Sequence, residues 1–403
     1  MTADEAAGAS APEGLGPVLA WLLERSHGAS AVELADLIGQ AARRLGITRT
    51  RLYLTDIQQR RLAPLPQSDL TVEEQDGLDV DGSLAGLAYR TQHVQQSRGE
   101  DTVWFPMVDG VERIGVMQTT GSRLDASLLE GGRALASLAT LLVVSKSSHH
   151  ELLIQGERGR PMSLQAELLW GFLPPRTIGT DRATSAAVTE PAYDIGGDAF
   201  DHSFIDGVLH LTLLDAMGHD LASGGASAVG LAACRSTRRS GGTLREIAST
   251  IDRTLAKWIP ERLMTAVIAE LDTLHGDFTW INCGHPPPLL IRDGHVLPGA
   301  LERAARLPLG YGFHTPHPPA EHHIRLQPGD RVLIYSDGIT EARSPDGDLF
   351  GEQRLADTVI RSTATGDNAP EALRRLIQNL IIHQDHRLRD DATILLAEWH
   401  PTP

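Results

Sequence analysis

Cysteine is nearly absent: Cys234 and Cys283 are the only two in 403 residues, and they stand far apart. That excludes a CxxC redox pair and a thiol-rich zinc site. Both lie in the second half, so the first half cannot tether a chromophore through sulfur. Positive charge is short as well, with 36 Lys and Arg against 52 Asp and Glu, a net charge of −16 and no basic cluster. A groove that tracks nucleic-acid phosphates has no electrostatic basis, and no nucleic-acid partner is expected. Long apolar runs are missing too. The best of them, Ala134 to Val144, falls short of the roughly 18 residues that span a bilayer and carries helical periodicity, so no membrane partner is expected. The opening MTADEAAGASAPEG lacks the charged-then-apolar pattern of a secretion signal. Residues 1–14 read as a disordered lead-in, and a cytoplasmic location is expected.

What is present is enough apolar content, 41%, to bury two cores. SAVELADLIGQAARRLG, residues 30–46, has helical apolar spacing behind a serine cap and stops at Gly46. RTRLYLTDIQQRRLAPLPQ then alternates apolar and polar residues, and TVWFPMVDGVERIGVMQTT predicts a hairpin turning at Asp109 and Gly110. With LAGLAYRTQHV between these strands, the order resembles a GAF domain over residues 15–145. The resemblance implies a small-molecule sensor and dimer module; no ligand is identified, and His93 is read as an ordinary histidine.

A helical connector is expected over 125–160, with Leu128, Leu135, Leu138 and Leu142 on one stripe. The stripe suits either a short parallel coiled coil, interrupted by Gly131 and Gly132, or packing on the first domain's sheet. A homodimer through the GAF-like domain and connector is the corresponding expectation. From about residue 161 to 400 strands dominate, with turns at Asp206-Gly207, Asp293-Gly294 and Asp346-Gly347 and helical stretches near 220–258 and 352–384. Strands in succession with helices set apart predict an α+β class, here an antiparallel β-sandwich flanked by helices.

Four acidic sites in this second domain each sit where a strand end meets a glycine-containing turn. YDIGGDAFD holds Asp198, with Asp194 and Asp201 nearby; LHLTLLDAMGHD runs an apolar strand into Asp215; RVLIYSDGITEA delivers Asp337; RDDATILLAEW opens the last strand with Asp390 and Asp391. One Asp-Gly is usually only a turn. Four at strand mouths are costly to desolvate unless solvated, hydrogen-bonded or bound to a cation. Clustered carboxylates repel and take up protons without positive charge between them. Oxygen ligands without cysteine or paired histidine select hard cations, Mg²⁺ or Mn²⁺ over Zn²⁺. Two such ions would acidify a water and aim it at a phosphorus atom.

The series GGDAFD, DAMGHD, CGHPPPLL, SDGITEA and DDATILL, behind a leading helix LQAELLWGFLP, resembles the SpoIIE-like branch of the PPM (type 2C) protein phosphatases over residues 164–398. The resemblance implies an α-β-β-α sandwich that hydrolyses phosphoserine or phosphothreonine with two divalent cations. By position it implies that Asp215 bridges both metals, that Asp337 and Asp390 hold one, that Asp198 acts through metal-bound water, and that the Ala216 carbonyl completes a shell. Asp391 is a lesser candidate beside Asp390. It further implies a phosphorylated STAS-type anti-anti-sigma protein as substrate, within sigma-factor regulation. Asp220 replaces a glycine found in many relatives and reads as a helix N-cap. His219 reads as a loop histidine, His285 as a buttress, and no arginine is assigned to grip the phosphate. GGDAF also resembles the hairpin of diguanylate cyclases, but Ala199 stands where that motif needs an acid. The remaining alternative is a phosphatase-like scaffold acting by protein contact alone.

Overall fold

The computed structural model describes residues 14–67, 76–97, 101–120, 125–304, 306–314 and 316–400. The lead-in expected at 1–14 lies, except for Gly14, outside them. Two compact units divide the chain, Met1–Asp109 with Arg113–Gly159, and Arg160–Pro403 with Gly110–Glu112.

The first unit is built on a six-stranded sheet in the order β3-β2-β1-β6-β5-β4. Its strands are β1 (Arg49–Thr55), β2 (Arg61–Pro64), β3 (Leu78–Asp79), β4 (Gln95–Gln96), β5 (Thr102–Asp109) and β6 (Glu112–Thr120). The helix at Ala31–Arg44 starts on a capping box, in which Ser30 and Glu33 satisfy each other's backbone N–H groups. A helix at Leu15–Ser26, absent from the sequence reading, buries Val18 and Leu22.

The connector is not one helix. Ala126–Ser147, capped by Asp125, is followed after a break by Glu151–Glu157. Leu135, Ala139, Leu142 and Val143 join Leu52, Phe105 and Met117 in one core, so the apolar stripe packs on the sheet of its own unit, with Leu128 and Leu138 at the margin. Gly132 does not interrupt the helix. A Cβ there would be driven into the Phe105 ring, so the glycine lets the helix lie close on β5. This helix is also longer and more apolar than the run Ala134 to Val144 suggested. An 18-residue window within its 22 residues reaches a mean hydropathy of 1.4, enough by length and composition to cross a membrane. The face it buries accounts for that apolarity within a packed unit.

The second unit stacks two antiparallel sheets between helices. One sheet has the order β15-β12-β11-β10-β9 and the other β14-β13-β16-β17-β8-β7. The strands of the first are β9 (Asp198–Ile205), β10 (Val208–Ala216), β11 (Met264–Asp272), β12 (Asp277–Cys283) and β15 (His322–Arg325). Those of the second are β7 (Thr177–Gly179), β8 (Ala183–Glu190), β13 (Leu289–Arg292), β14 (His295–Val296), β16 (Arg331–Tyr335) and β17 (Ala392–Trp399). Strand alternation decides the layering. Leu209, Leu211 and Leu213 of β10 meet Val332, Ile334 and Leu395 between the sheets. Leu214 and Ala216 point the other way, to helices Leu164–Trp170, Leu221–Arg239 and Leu244–Trp258. Leu333, Ile394 and Leu396 bury under Gly351–Ala364 and Ala369–His383. Each expected helical stretch is thus a pair, broken at Gly241 and Gly366, both at positive φ. The turns at Asp206-Gly207 and Asp293-Gly294 have positive φ at both residues, the two-residue turn that matches strand twist.

Candidate metal centre

Antiparallel pairing puts the first two carboxylates side by side. Asp198 opens β9, Asp215 ends β10, and the two are direct cross-strand partners. Gly196 and Gly197 precede Asp198 because the chain passes close under the turn that follows β10. A Cβ on Gly197 would stand 2.7 Å from the Gly218 carbonyl oxygen and closer still to that of Ala216. The GGD motif is therefore a close-approach device before it is a ligand motif.

The second sheet supplies the rest from the same end. Asp337 follows β16 after Ser336, and Asp390 and Asp391 precede β17, which pairs with β16. Side-chain hydrogen bonds tie the sheets together here. Ser336 Oγ donates to Asp198 Oδ2 at 2.7 Å and accepts the Thr393 N–H at 2.9 Å. Asp391 Oδ2 accepts backbone N–H groups of Gly196, Gly197 and Asp198 at 3.0, 2.6 and 3.1 Å. Asp391, 8% exposed, thus holds the GGD loop beside Asp390. Asp390 and Asp337 are both exposed.

The electrostatics record how crowded the acids are. Burial, then the charges of Asp337, Asp390 and Asp391, push Asp215 up to about 7. Burial first, then Asp215 and Asp391, hold Asp198, 2% exposed, well above the usual carboxylate range. Asp337 is raised by burial and by Asp390 and Glu341. Such shifts mark a group of acids short of positive charge. Among the described residues no three His, Cys, Asp or Glu side chains already enclose one point at ligand distance. The donor set nonetheless fits a hard divalent cation, being all oxygen, open to solvent at Asp337 and Asp390, and relieved of repulsion by added positive charge.

Other nearby residues turn out to serve the frame. Asp201 is buried against Arg235 and Arg238, with bonds of 2.6 and 2.7 Å, and Asp194 is exposed beside Arg160. Neither joins the acidic group. Asp220 caps the Leu221–Arg239 helix through Ser223. Those bonds, with Arg262 at 2.7 Å, hold its carboxyl below the usual range. His219 is exposed.

His285, 4% exposed, braces both halves of the site. Its Nε2 lies 3.0 Å from the Tyr335 carbonyl, which can only accept, so Nε2 carries the proton and Nδ1 accepts from Thr265 Oγ1 at 2.7 Å. Burial pushes the imidazole down to about 4, so it is neutral at pH 7. Thr265 is the cross-strand partner of Asp215, and Tyr335 lies two residues before Asp337. One ring therefore sets the spacing between the two strand ends, and it touches no carboxylate.

Arg262 was not legible as a functional residue. Its Nη1 donates to the Met217 carbonyl at 3.1 Å and its Nη2 to Asp220, fixing the loop that follows Asp215 and Ala216. Its only sequence signal is its place just ahead of β11.

The chain is similar to several known proteins. A 135-residue stretch is 28% identical to Protein IcfG of Synechocystis sp., covering 34% of this chain and 20% of that protein. A 246-residue stretch is 22% identical to phosphoserine phosphatase RsbU of Bacillus subtilis, covering 60% of this chain and 71% of RsbU. The chain thus spans about a fifth of IcfG's length. Among solved structures, the SiaA-PP2C domain of Pseudomonas aeruginosa is 19% identical over 58% of this chain and 94% of its own length, with a TM-score of 0.49. Residues 205–400, which bear Asp215, Asp337, Asp390 and His285, match the family described as Stage II sporulation protein E (SpoIIE). The C-terminal unit therefore carries a SpoIIE-type domain over those residues.

Proposed function

We propose that the C-terminal unit hydrolyses phosphoserine or phosphothreonine on a protein, using two Mn²⁺ or Mg²⁺ ions. Asp198, Asp215, the Ala216 carbonyl, Asp337 and Asp390 are the residues that would hold them. The observation that carries this reading is the crowding of acids from both sheets, with Asp215 pushed up to about 7. When bound, the cations supply positive charge to the phosphate oxygens and a water acidic enough to ionise near neutral pH. The chain's own part is to fix the carboxylates. Ser336 and Asp391 orient the Asp198 loop, His285 spaces the two sheets, and Arg262 holds the turn after Ala216. Similarity to RsbU, named a phosphoserine phosphatase, supports a phosphoserine substrate, and we place it on a STAS-type anti-anti-sigma protein of bacterial sigma-factor regulation.

The test is release of phosphate from serine-phosphorylated STAS protein with Mn²⁺ or Mg²⁺ and with EDTA. Turnover with metal and none with EDTA is expected. Stable binding of that protein without any metal-dependent release would favour the scaffold reading.

We further read residues 15–145 as a GAF-like sensor with an unidentified small ligand, forming a homodimer with the connector; the helix and strand order of the first unit supports this. Regulation of turnover by that unit predicts that a chain starting at residue 160 changes in rate by severalfold. Equal rates at all protein concentrations would remove the regulatory role.

A further inference from the structure

The turn after Asp215 is flanked by apolar side chains that the second unit leaves in water. Met217 is 55% exposed and Leu221 45%, and they sit on either side of the Asp220 cap. Across the Arg262 clamp stands a second loop. Leu309 pairs with Met264, the strand partner of Ala216, and Gly310 packs against the Arg262 carbonyl. This loop is not floppy surface. Asp252, fully buried, accepts the backbone N–H groups of Gly310, Gly312 and His314 at 2.8, 3.0 and 2.7 Å. Three alternate N–H groups drawn inward turn the residues between them outward, and Tyr311 and Phe313 are 59% and 37% exposed. Burying a carboxylate costs several kcal/mol unless its lone pairs are satisfied. Here they are satisfied by a loop whose outward side chains are aromatic.

We propose that Met217, Leu221, Tyr311 and Phe313 form an apolar collar on which a folded phosphoprotein seats while its phosphate lies at Asp215. The proposal rests on the phosphatase reading of that carboxylate. A small phosphate monoester needs only the acidic group and its cations. A protein that delivers a phosphoserine to Asp215 comes within two residues of the exposed Met217, at the edge of the collar. Rigid aromatics on a fixed loop are the side chains that anchor protein interfaces at low entropic cost. The four collar side chains are uncharged, and Arg262 and Asp220 between them are paired with each other, so the collar suits an apolar patch on the partner in place of an acidic one.

The test compares the full-length wild type with the double variant Tyr311→Ser and Phe313→Ser. It uses two substrates with Mn²⁺: p-nitrophenyl phosphate and a serine-phosphorylated STAS protein. For the phosphoprotein, kcat/KM should fall about tenfold or more, mostly through KM, while p-nitrophenyl phosphate hydrolysis stays within about twofold. An unchanged phosphoprotein rate overturns the collar. Equal losses on both substrates also overturn it, because the loop would then only support the site's structure. If the wild type hydrolyses neither substrate, the phosphatase reading fails instead. Calorimetric binding of the phosphoprotein then decides the collar, and equal affinity for wild type and variant, or no binding to the wild type, overturns it.

Discussion

Asp215→Asn and Asp337→Asn should each lower metal-dependent phosphate release by at least about 10³-fold while leaving the protein folded. The two acids come from different sheets, and each removes a charge where positive ions must collect. An amide of the same shape keeps the packing and loses the charge. Asp215→Asn should also be no less thermally stable than the wild type without metal, since it removes a carboxylate that burial and its acidic neighbours push up to about 7. Near-normal turnover in either variant, with circular dichroism matching the wild type, would sink the metal assignment.

The second large effect is on stability against pH in the absence of metal. Asp215 has its ordinary value of 3.8 raised to about 7 in the folded chain, so the native state binds this proton more tightly than the unfolded state does. Native stability is then greatest below the unfolded value and erodes as pH rises from about 4 through 7, the reverse of a salt-bridged carboxylate. Three pH units correspond to about 4 kcal/mol. Between pH 5 and 7.5 about 2.5 kcal/mol of this is lost, which for a unit of this size is a fall in Tm on the order of 5 to 10 °C. Mn²⁺ added at pH 7.5 should restore it, and Asp215→Asn should flatten the profile. Scanning calorimetry of the metal-free chain checks this; a Tm that is level across the range and indifferent to Mn²⁺ contradicts it.

The acidic group was legible because each member sits at the head or the end of an apolar strand. A buried strand that stops at Asp-Gly announces itself locally, and Asp215 and Asp337 could be picked out on that ground. Asp390 and Asp391, adjacent at the head of one strand, could be ranked only through the family resemblance. Strand direction decides between them, sending Asp391 inward to three N–H groups of residues 196–198 and leaving Asp390 in solvent. Ser336, Arg262 and Asp252 were invisible for a related reason. Their partners lie 138, 45 and 58 residues away, so no local pattern marks them. In the first unit the stripe Leu128, Leu135, Leu138, Leu142 was read correctly as apolar, but Gly132 looked like a defect until Phe105 was seen beneath it. A glycine's use can be read only when the surface it touches is known.

Strand β17 lies in the middle of its sheet, between β16 and β8, and Asp391 just ahead of it locks a loop 195 positions earlier. A polypeptide leaving the ribosome therefore has most of this unit in hand and still lacks the central rib of one layer. Until residues 392–399 clear the exit tunnel, β8 and β16 have no common neighbour and the GGD loop has no anchor. The acidic group is thus not fixed until residues 392–399 have paired with β8 and β16, and no metal-dependent hydrolysis is expected from a truncated chain that stops before residue 392.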